Sequence, residues 1–211
     1  KFIIQTSDRG QHWQPAVQLS ALANSTFSRL SMVNNNAYAI AGDVLYATSN
    51  TGVSWNTISL PPNPANGVVF NKVYFLNGQE GYVAKDDDKT IYRTTNGGIS
   101  WIQMNDAAIC PVDANDIYFI NSGTGFITSS SSYQVYKTIN SGATWEPCKR
   151  GSKYQVGFTG LSRLHFISSQ QAWATANGSP YLQMTTNAGG TPLPKAFFKI
   201  DTSAIVTNGQ V

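Results

Sequence analysis

The sequence predicts an all-β fold built from repeats, and three observations lead to this prediction. An eight-residue segment at residues 94–101, TTNGGISW, recurs along the chain with small changes. β-Branched and aromatic residues form short segments bounded by Gly, Asn, Ser or Pro, which is the pattern of strands and turns. No segment has the apolar period of about 3.6 residues that predicts an amphipathic helix.

The recurring segment combines a hydroxyl residue, an Asp or Asn, a Gly and a Trp at fixed spacing. Its five copies begin at residues 6, 48, 94, 138 and 185, and their Asp or Asn positions are 42, 46, 44 and 47 residues apart. A period of this length is the signature of a repeat architecture. In the fifth copy Pro192 replaces the Trp. The residues that define the copies are Asp8, Gly10, Trp13, Asn50, Gly52, Trp55, Asn96, Gly98, Trp101, Asn140, Gly142, Trp145, Asn187 and Gly189.

We interpret this segment as a structural turn between two strands and not as a catalytic motif. Its Asp or Asn side chain is expected to accept hydrogen bonds from backbone N–H groups two or three residues further on, and its Gly to supply a positive φ. The Trp is expected to lie in the layer between sheets, where burial of an aromatic ring contributes about 2 to 3 kcal/mol.

Each repeat contains four strand-like segments. The first segments align without gaps at residues 29–33, 72–76, 116–120 and 163–167. A second segment begins with a small residue and an aromatic, at residues 37–38, 81–82, 125–126 and 172–173, so the first two segments predict an antiparallel hairpin. The third segment runs into the turn motif, and the fourth begins at its Trp. Four antiparallel strands in about 45 residues is the period of a β-propeller blade.

We therefore predict a single β-propeller domain over residues 1–211 with about five blades. Residues 1–20 supply only the outer two strands of a first unit. The complete units are predicted at 21–62, 63–108, 109–152 and 153–200. If the tail, 201–211, adds one strand beside residues 2–5, it closes the ring with a thin first blade. The alternative is that the sequence is a piece of a larger ring.

Composition excludes several classes of protein. The net charge is +3 without a cluster of Lys and Arg, so a nucleic-acid partner is not predicted. No apolar run approaches the roughly 18 to 20 residues of a membrane span. The low charged fraction of 12%, with abundant Ser, Thr, Asn and Gly, favours an extracytoplasmic location, and the start at Lys1 suggests the loss of an upstream segment. Cys110 and Cys148 are compatible with a disulfide or with two buried thiols.

The five turn motifs resemble the Asp-box, or BNR, repeats of sialidases, sortilin-type receptors, xyloglucanases and photosystem II assembly-factor propellers. The form Thr-Thr-Asn-Gly-Gly-x-Ser-Trp, preceded by Tyr92 and by Gly81 and Tyr82, is most similar to the assembly factors and to their bacterial extracytoplasmic relatives. The resemblance covers essentially the whole chain. It implies the propeller fold but says little about function, because the same turn occurs in enzymes, receptors and scaffolds.

The residues needed for catalysis are scarce. A sialidase resemblance would demand an arginine triad and a Tyr/Glu nucleophile pair, but the sequence has only two Glu, Glu80 and Glu146, and neither has a catalytic context. A glycosidase needs two carboxylates that flank a cleft. The densest acidic run, at residues 86–88, lacks the Gly and Glu spacing of a calcium loop. We predict no catalytic residue, no metal and no cofactor.

A more promising site lies where the innermost strands begin. Arg29, Lys72, Asp116 and Arg163 occupy one equivalent position in four repeats, and these positions converge around the central channel of a propeller. Three cations and one anion predict a positive mouth for an acidic side chain, a carboxylate or a phosphate. The loops on the same side add the candidate ligand-binding residues Tyr133, Lys149, Arg150, Lys153 and Tyr154.

The sequence thus predicts a noncatalytic, exported binding or assembly module that recognises a protein segment or an acidic ligand at this mouth. One alternative is a carbohydrate-binding surface propeller that uses Tyr and Asn side chains of the mouth loops. A second alternative is a glycoside hydrolase of the Asp-box type with an atypical pair of Asp residues.

Overall fold

The structure is a computed structural model that describes residues 3–14, 26–62, 69–85, 90–104, 114–129, 135–148, 161–176 and 182–185. These ranges contain fifteen strands and no helix, so none of the described residues forms a helix able to cross a membrane. In chain order the strands are β1 (Phe27–Val33), β2 (Asn36–Ala41), β3 (Val44–Thr48), β4 (Asn56–Ile58), β5 (Phe70–Phe75), β6 (Gly81–Lys85), β7 (Ile91–Thr94), β8 (Ile102–Gln103), β9 (Asp116–Phe119), β10 (Gly125–Thr128), β11 (Val135–Thr138), β12 (Glu146–Pro147), β13 (Leu161–Phe166), β14 (Ala172–Ala176) and β15 (Leu182–Thr185).

The strands form four antiparallel sheets, which we name blades A to D. Blade A contains β1 to β4, blade B β5 to β8, blade C β9 to β12 and blade D β13 to β15, and in each blade neighbouring strands are consecutive in the chain. The first strands of successive blades pack against one another, so they are the innermost strands. This arrangement confirms the predicted all-β propeller with four-stranded antiparallel blades.

The first repeat is partial in the structure as well as in the sequence. Gln5 and Gln14 form an antiparallel bridge on either side of the first box turn, and Ile3 packs against Ala39 and Tyr46 of blade A. The fifth box turn at 186–191, the fourth strand of blade D and the tail strand fall outside the described residues. The number of blades and the unit boundaries therefore stay predictions.

The second strand of a blade is buried on both faces. Every residue of β6 and of β10 is buried. This follows from the position of the strand inside a sheet that has another sheet packed on each side. Such a strand has no solvated face, so its sequence does not alternate between apolar and polar residues.

The small residue that begins the second strand makes room for an aromatic ring on the first. Phe75 is paired with Gly81, and a Cβ on Gly81 would lie 2.6 Å from the Phe75 ring. In blade C, a Cβ on Gly125 would lie 2.5 Å from the ring of its cross-strand partner Phe119. Both distances are below van der Waals contact, so the ring packs directly on the glycine backbone.

Aromatic stacking joins each blade to the next. The ring of Tyr38 in blade A stacks on Phe75 in blade B with a centroid separation of 3.5 Å. Tyr82 in blade B stacks on Phe119 in blade C at 3.8 Å. In blades A and B, the aromatic that follows the small residue therefore stacks on the next blade, whereas Tyr118 of β9 makes the stacked contact between blades C and D.

The box turn is held by a compact set of hydrogen bonds. In the third copy the Thr94 hydroxyl accepts the N–H groups of Asn96 at 3.3 Å and Gly98 at 2.8 Å, and donates to Asn96 Oδ1 at 2.9 Å. Asn96 Oδ1 also accepts the N–H of Ser100 at 3.0 Å, four residues further on, so the predicted reach of two or three residues was too short. The same bonds recur in the copies that begin at Thr6, Thr48 and Thr138.

Two consecutive residues in the left-handed region shape each turn. Gly98 has a φ of 91° and follows Gly97 with a φ of 69°. In the other described copies the first of these two positions is not glycine, since Arg9, Thr51 and Ser141 have φ values of 61°, 57° and 61°. The hydrogen bonds of the box hold these residues in a conformation that costs roughly 1 to 2 kcal/mol for a residue with a Cβ.

The burial of the box Trp side chains differs between the repeats. Trp145 is 5% exposed, and Trp101 of blade B donates its Nε1 hydrogen to the Ser59 carbonyl of blade A at 2.9 Å. Trp13 is 57% exposed and belongs to none of the hydrophobic clusters formed by the described residues. Its expected burial between sheets is therefore not observed in this part of the chain.

Candidate ligand-binding mouth

In blades A, B and D, two consecutive residues at the start of the innermost strand line a cavity at one end of the central channel. A regular strand cannot do this, because successive side chains point to opposite faces. A bulge adds an unpaired residue and re-aims the side chains beside it. In three blades the pairing register shifts at this point, between Phe27 and Arg29, between Phe70 and Lys72, and between Leu161 and Arg163.

Seven polar residues in the described part of the chain line a cavity of about 350 Å³ at this end of the channel, which we name the mouth. The volume is at the lower end of the roughly 300 to 1,000 Å³ that is usual for ligand pockets. No carboxylate is among the described residues that line it. They are Ser28, Arg29, Asn71, Lys72, Asn115, Ser162 and Arg163.

Asp116 has the fourth equivalent position, but it does not line the cavity. Its side chain is buried and forms an ion pair with the Arg29 guanidinium through Oδ1. Oδ1 also accepts the N–H of Ile117 at 3.0 Å, and Oδ2 accepts the N–H of Leu164 at 2.9 Å. Because Arg29 belongs to blade A, Asp116 to blade C and Leu164 to blade D, one carboxylate connects three blades around the channel.

The surroundings of Asp116 act on its protonation in opposite directions. Burial raises the pKa of the Asp116 carboxyl, while the Arg29 guanidinium and the two backbone N–H groups lower it. Burial has the larger effect, so the pKa lies above its ordinary value. A buried carboxylate of this kind depends on its donors, because an unpaired buried charge is strongly unfavourable.

The three cations of the mouth differ in their environment. Arg163 is exposed and forms no ion pair with any described residue. Lys72 is 9% exposed and donates to Asn71 Oδ1 at 3.0 Å. Arg29 both lines the cavity and pairs with Asp116. Within the described residues, the four equivalent positions together carry a formal charge of +2, which attracts anions.

The box turns lie at the opposite end of the channel. The first strand of a blade leaves the mouth, the second returns to it and the third leaves it again, so the turn into the fourth strand is far from the cavity. A second buried ion pair lies on that side. Arg93 Nη2 is 2.7 Å from Glu80 Oε1, and the Tyr82 hydroxyl donates to the same oxygen at 3.3 Å.

The remaining sequence-predicted groups either lie outside the described residues or are not among those that line the mouth. The five loop candidates Tyr133, Lys149, Arg150, Lys153 and Tyr154 lie outside the described residues. Cys148 is a buried free thiol whose burial raises its pKa to about 12, and Cys110 lies outside the described residues. Within the described ranges, no three His, Cys, Asp or Glu side chains are grouped to hold a metal ion.

Sequence analysis missed the short polar residues of the mouth. Ser28, Asn71, Asn115 and Ser162 each precede one of the aligned charged residues, and all four line the cavity. The signal was present in the alignment of the repeats, where this position is always Ser or Asn. In a regular strand, the residue before each charged residue would point away from the channel, because successive side chains alternate between the two faces. The bulge that turns both residues to the channel leaves no mark of its own in the sequence.

A family model described as photosynthesis system II assembly factor YCF48 matches residues 1–208 of the chain. No curated protein matches it. Among solved structures, "YCF48 bound to D1 peptide" is 16% identical with a TM-score of 0.58, and the alignment covers 95% of this chain and 75% of that one. YCF48 from Cyanidioschyzon merolae is 19% identical with a TM-score of 0.63, and the alignment covers 95% of this chain and 64% of that one.

A glycoside hydrolase is also similar in structure. The GH74 enzyme from Niastella koreensis is 20% identical with a TM-score of 0.54, and the alignment covers 74% of this chain and 22% of the enzyme. At such identities the likeness to all three structures shows a shared propeller fold, which does not by itself define an activity. This chain spans just under two thirds of the C. merolae protein and less than a quarter of the enzyme.

Proposed function

The chain belongs to the family of the photosynthesis system II assembly factor YCF48, and we propose on this premise that it is a noncatalytic assembly module that binds an acidic segment of another protein. The segment binds at the mouth, where its carboxylates meet the guanidinium of Arg163, the ammonium of Lys72 and the part of Arg29 that lines the cavity. We also propose that the protein works outside the cytoplasm, as its composition of hydroxyl and amide side chains favours.

The observation that carries this proposal is the chemistry of the cavity. Among the described residues, three cationic and four neutral polar residues line it, and no carboxylate does. Guanidinium groups bind carboxylates through parallel hydrogen bonds, and Ser and Asn side chains supply further polar contacts at a peptide backbone. A relative in the same family has a structure described as bound to a D1 peptide, which supports a peptide as the class of ligand.

The carboxylates near the mouth support a noncatalytic role. Glycoside hydrolysis requires two carboxyl groups on either side of the scissile bond, about 5 to 9.5 Å apart. Asp116 is the one carboxylate that the described residues place beside the cavity, and its oxygens are occupied by Arg29 and by two backbone N–H groups. The similarity to a GH74 enzyme extends to the fold and does not supply the second carboxylate.

The proposal is tested with Arg163→Gln and a ten-residue synthetic peptide that contains four glutamates. Loss of an exposed cation from the mouth is expected to weaken binding about tenfold and to reduce its dependence on salt. The matched control is Arg9→Gln, which removes an exposed arginine from a box turn at the opposite end. Isothermal titration calorimetry measures both effects at about 50 and about 200 mM salt. The first concentration is about one third of physiological ionic strength, and the second is slightly above it.

Two results would contradict the proposal. The first is equal affinity of the wild type, Arg163→Gln and Arg9→Gln for the peptide. The second is binding of neutral glycans in a glycan array with no binding of the glutamate peptide, which would favour the carbohydrate-binding alternative. A version of the peptide with glutamine in place of glutamate is expected to bind no variant, because it lacks the charges that the mouth attracts.

A further inference from the structure

We propose that Asp116 is the residue that sets the affinity of the mouth for anions, because it holds the Arg29 guanidinium in an internal pair for which a bound carboxylate has to compete. This inference rests on the proposed function and concerns the same site. Of the four equivalent residues at the mouth, the three cations attract an anionic ligand, whereas the one acidic residue, Asp116, weakens its binding.

The Arg29 side chain has two environments at once. Its side chain lines the cavity, and its Nη2 group donates to Asp116 Oδ1. Within the described part of the chain, this carboxylate is the only hydrogen-bond or ion-pair partner of the Arg29 side chain. A guanidinium has five N–H donors in a planar fork, so the pair with Asp116 leaves donors for a ligand in the cavity.

Asp116 cannot move with the Arg29 guanidinium when that group turns toward a ligand. Its other oxygen, Oδ2, accepts the N–H of Leu164 at 2.9 Å, and this strand of blade D is fixed by its own pairing with β14. A ligand carboxylate that approaches Arg29 therefore meets a second carboxylate that stays in place. The two anions share one cation, and their repulsion is strong because Asp116 is largely shielded from solvent.

A second buried acid distinguishes this role of Asp116 from a purely structural one. Glu80 is also buried and also pairs with an arginine, Arg93, but it lies on the box side of blade B. Neither Glu80 nor Arg93 is among the described residues that line the mouth. Asp116 differs because its arginine is a wall of the mouth, so the internal pair and the ligand site use the same guanidinium.

The test is Asp116→Asn in the full chain. Asparagine has the shape of aspartate and retains an oxygen that accepts the Leu164 N–H, but it no longer carries the charge that holds Arg29. Affinity for the four-glutamate peptide is expected to increase about tenfold. In an Arg29→Gln background the same change should raise affinity by a much smaller factor, because the gain acts through Arg29, and a double-mutant cycle measures this coupling.

Glu80→Gln is the matched control, since it removes the same charge from an equally buried acid at the other end of the channel. It is expected to leave peptide affinity unchanged. Thermal unfolding of every variant shows whether it is folded. A measurement on the wild type does not depend on any variant: the Arg29 Nε–Hε signal in a ¹⁵N NMR spectrum is expected to shift when the peptide is added.

The outcomes distinguish the two proposals. If the wild type does not bind the peptide, the proposed function is wrong and this inference falls with it. If the wild type binds and Arg163→Gln weakens binding, but Asp116→Asn binds equally or less tightly, Asp116 positions Arg29 for the ligand and the competition is refuted while the proposed function stands. An Arg29 signal that is unchanged in the saturated wild type would refute it as well.

Discussion

At the scale of single residues, the first box differs from the others at two positions that contact each other. Asp8 stands where the next three copies have Asn, and His12 stands where they have Ser or Thr. An Asn amide donates to the hydroxyl at 2.8 to 2.9 Å in those copies. A carboxylate cannot donate, and in the first box His12 Nδ1 lies 2.5 Å from Asp8 Oδ2. The two differences therefore compensate each other.

This pair makes the stability of the first repeat dependent on pH. Hydrogen bonds from the Thr6 hydroxyl, the His12 N–H and the His12 side chain lower the pKa of Asp8 from 3.8 to about 2. Because the pKa is lower in the folded state, the stabilisation is complete above the unfolded value and is lost as pH falls from 3.8 to about 2. We expect the urea midpoint of the wild type to fall more steeply over this range than that of Asp8→Asn.

A converse variant provides the control for this prediction. Asn50→Asp places a carboxylate in the second box, where the Thr48 hydroxyl and the Ser54 N–H are available to it. It should acquire an additional loss of stability in the same acidic range. Parallel midpoints for the wild type and Asp8→Asn across the range would show that the carboxylate is not stabilised by these contacts.

At the scale of the blade, the contact between a small residue and an aromatic ring is the feature most sensitive to substitution. In Gly125→Ala the new Cβ would lie 2.5 Å from the Phe119 ring, so the ring has to move out of its stack with Tyr82. We expect a loss of about 1 to 3 kcal/mol in the free energy of unfolding, measured by urea denaturation.

Gly123→Ala is the matched control for this substitution. Its Cβ would meet the Ile139 carbonyl at 3.5 Å, which is an ordinary contact, so its effect should stay within about 0.5 kcal/mol. Equal stability of the two variants would contradict the view that the ring packs on the glycine backbone. A second substitution, Phe119→Leu in the Gly125→Ala background, should cost less than Phe119→Leu alone, because the smaller side chain leaves space for the methyl group.

At the scale of the whole molecule, consecutive blades are joined by aromatic rings and should lose stability together. Phe119 stacks on Tyr82 of blade B and contacts Trp145 of blade C edge-on, with a centroid separation of 6.0 Å. Phe119→Ala should lower the free energy of unfolding by about 3 to 5 kcal/mol. Hydrogen exchange should then accelerate in both β5 to β8 and β9 to β12, and less in blade A, which serves as the internal reference. Acceleration confined to blade C would show that the blades open independently.

The sequence by itself determined the repeat, the order of the strands and the identity of the box turn. These features depend on contacts within one unit of about 45 residues, such as the bonds from Thr94 to Gly98, so the local pattern contains the necessary information. The sequence shows that a small residue, Gly81, begins the second strand. The reason that this residue is small became clear only from its cross-strand contact with the Phe75 ring.

The tertiary structure decided how the mouth is built. Arg29, Lys72, Asp116 and Arg163 are equivalent in the aligned repeats, yet Asp116 is buried against Arg29 and Leu164 while the three cations line the cavity. The pair joins blades that are not consecutive, and the bulges in blades A, B and D bring Ser28, Asn71 and Ser162 to the same wall. A repeat alignment treats each unit separately, whereas these contacts form only when the blades are arranged around one channel.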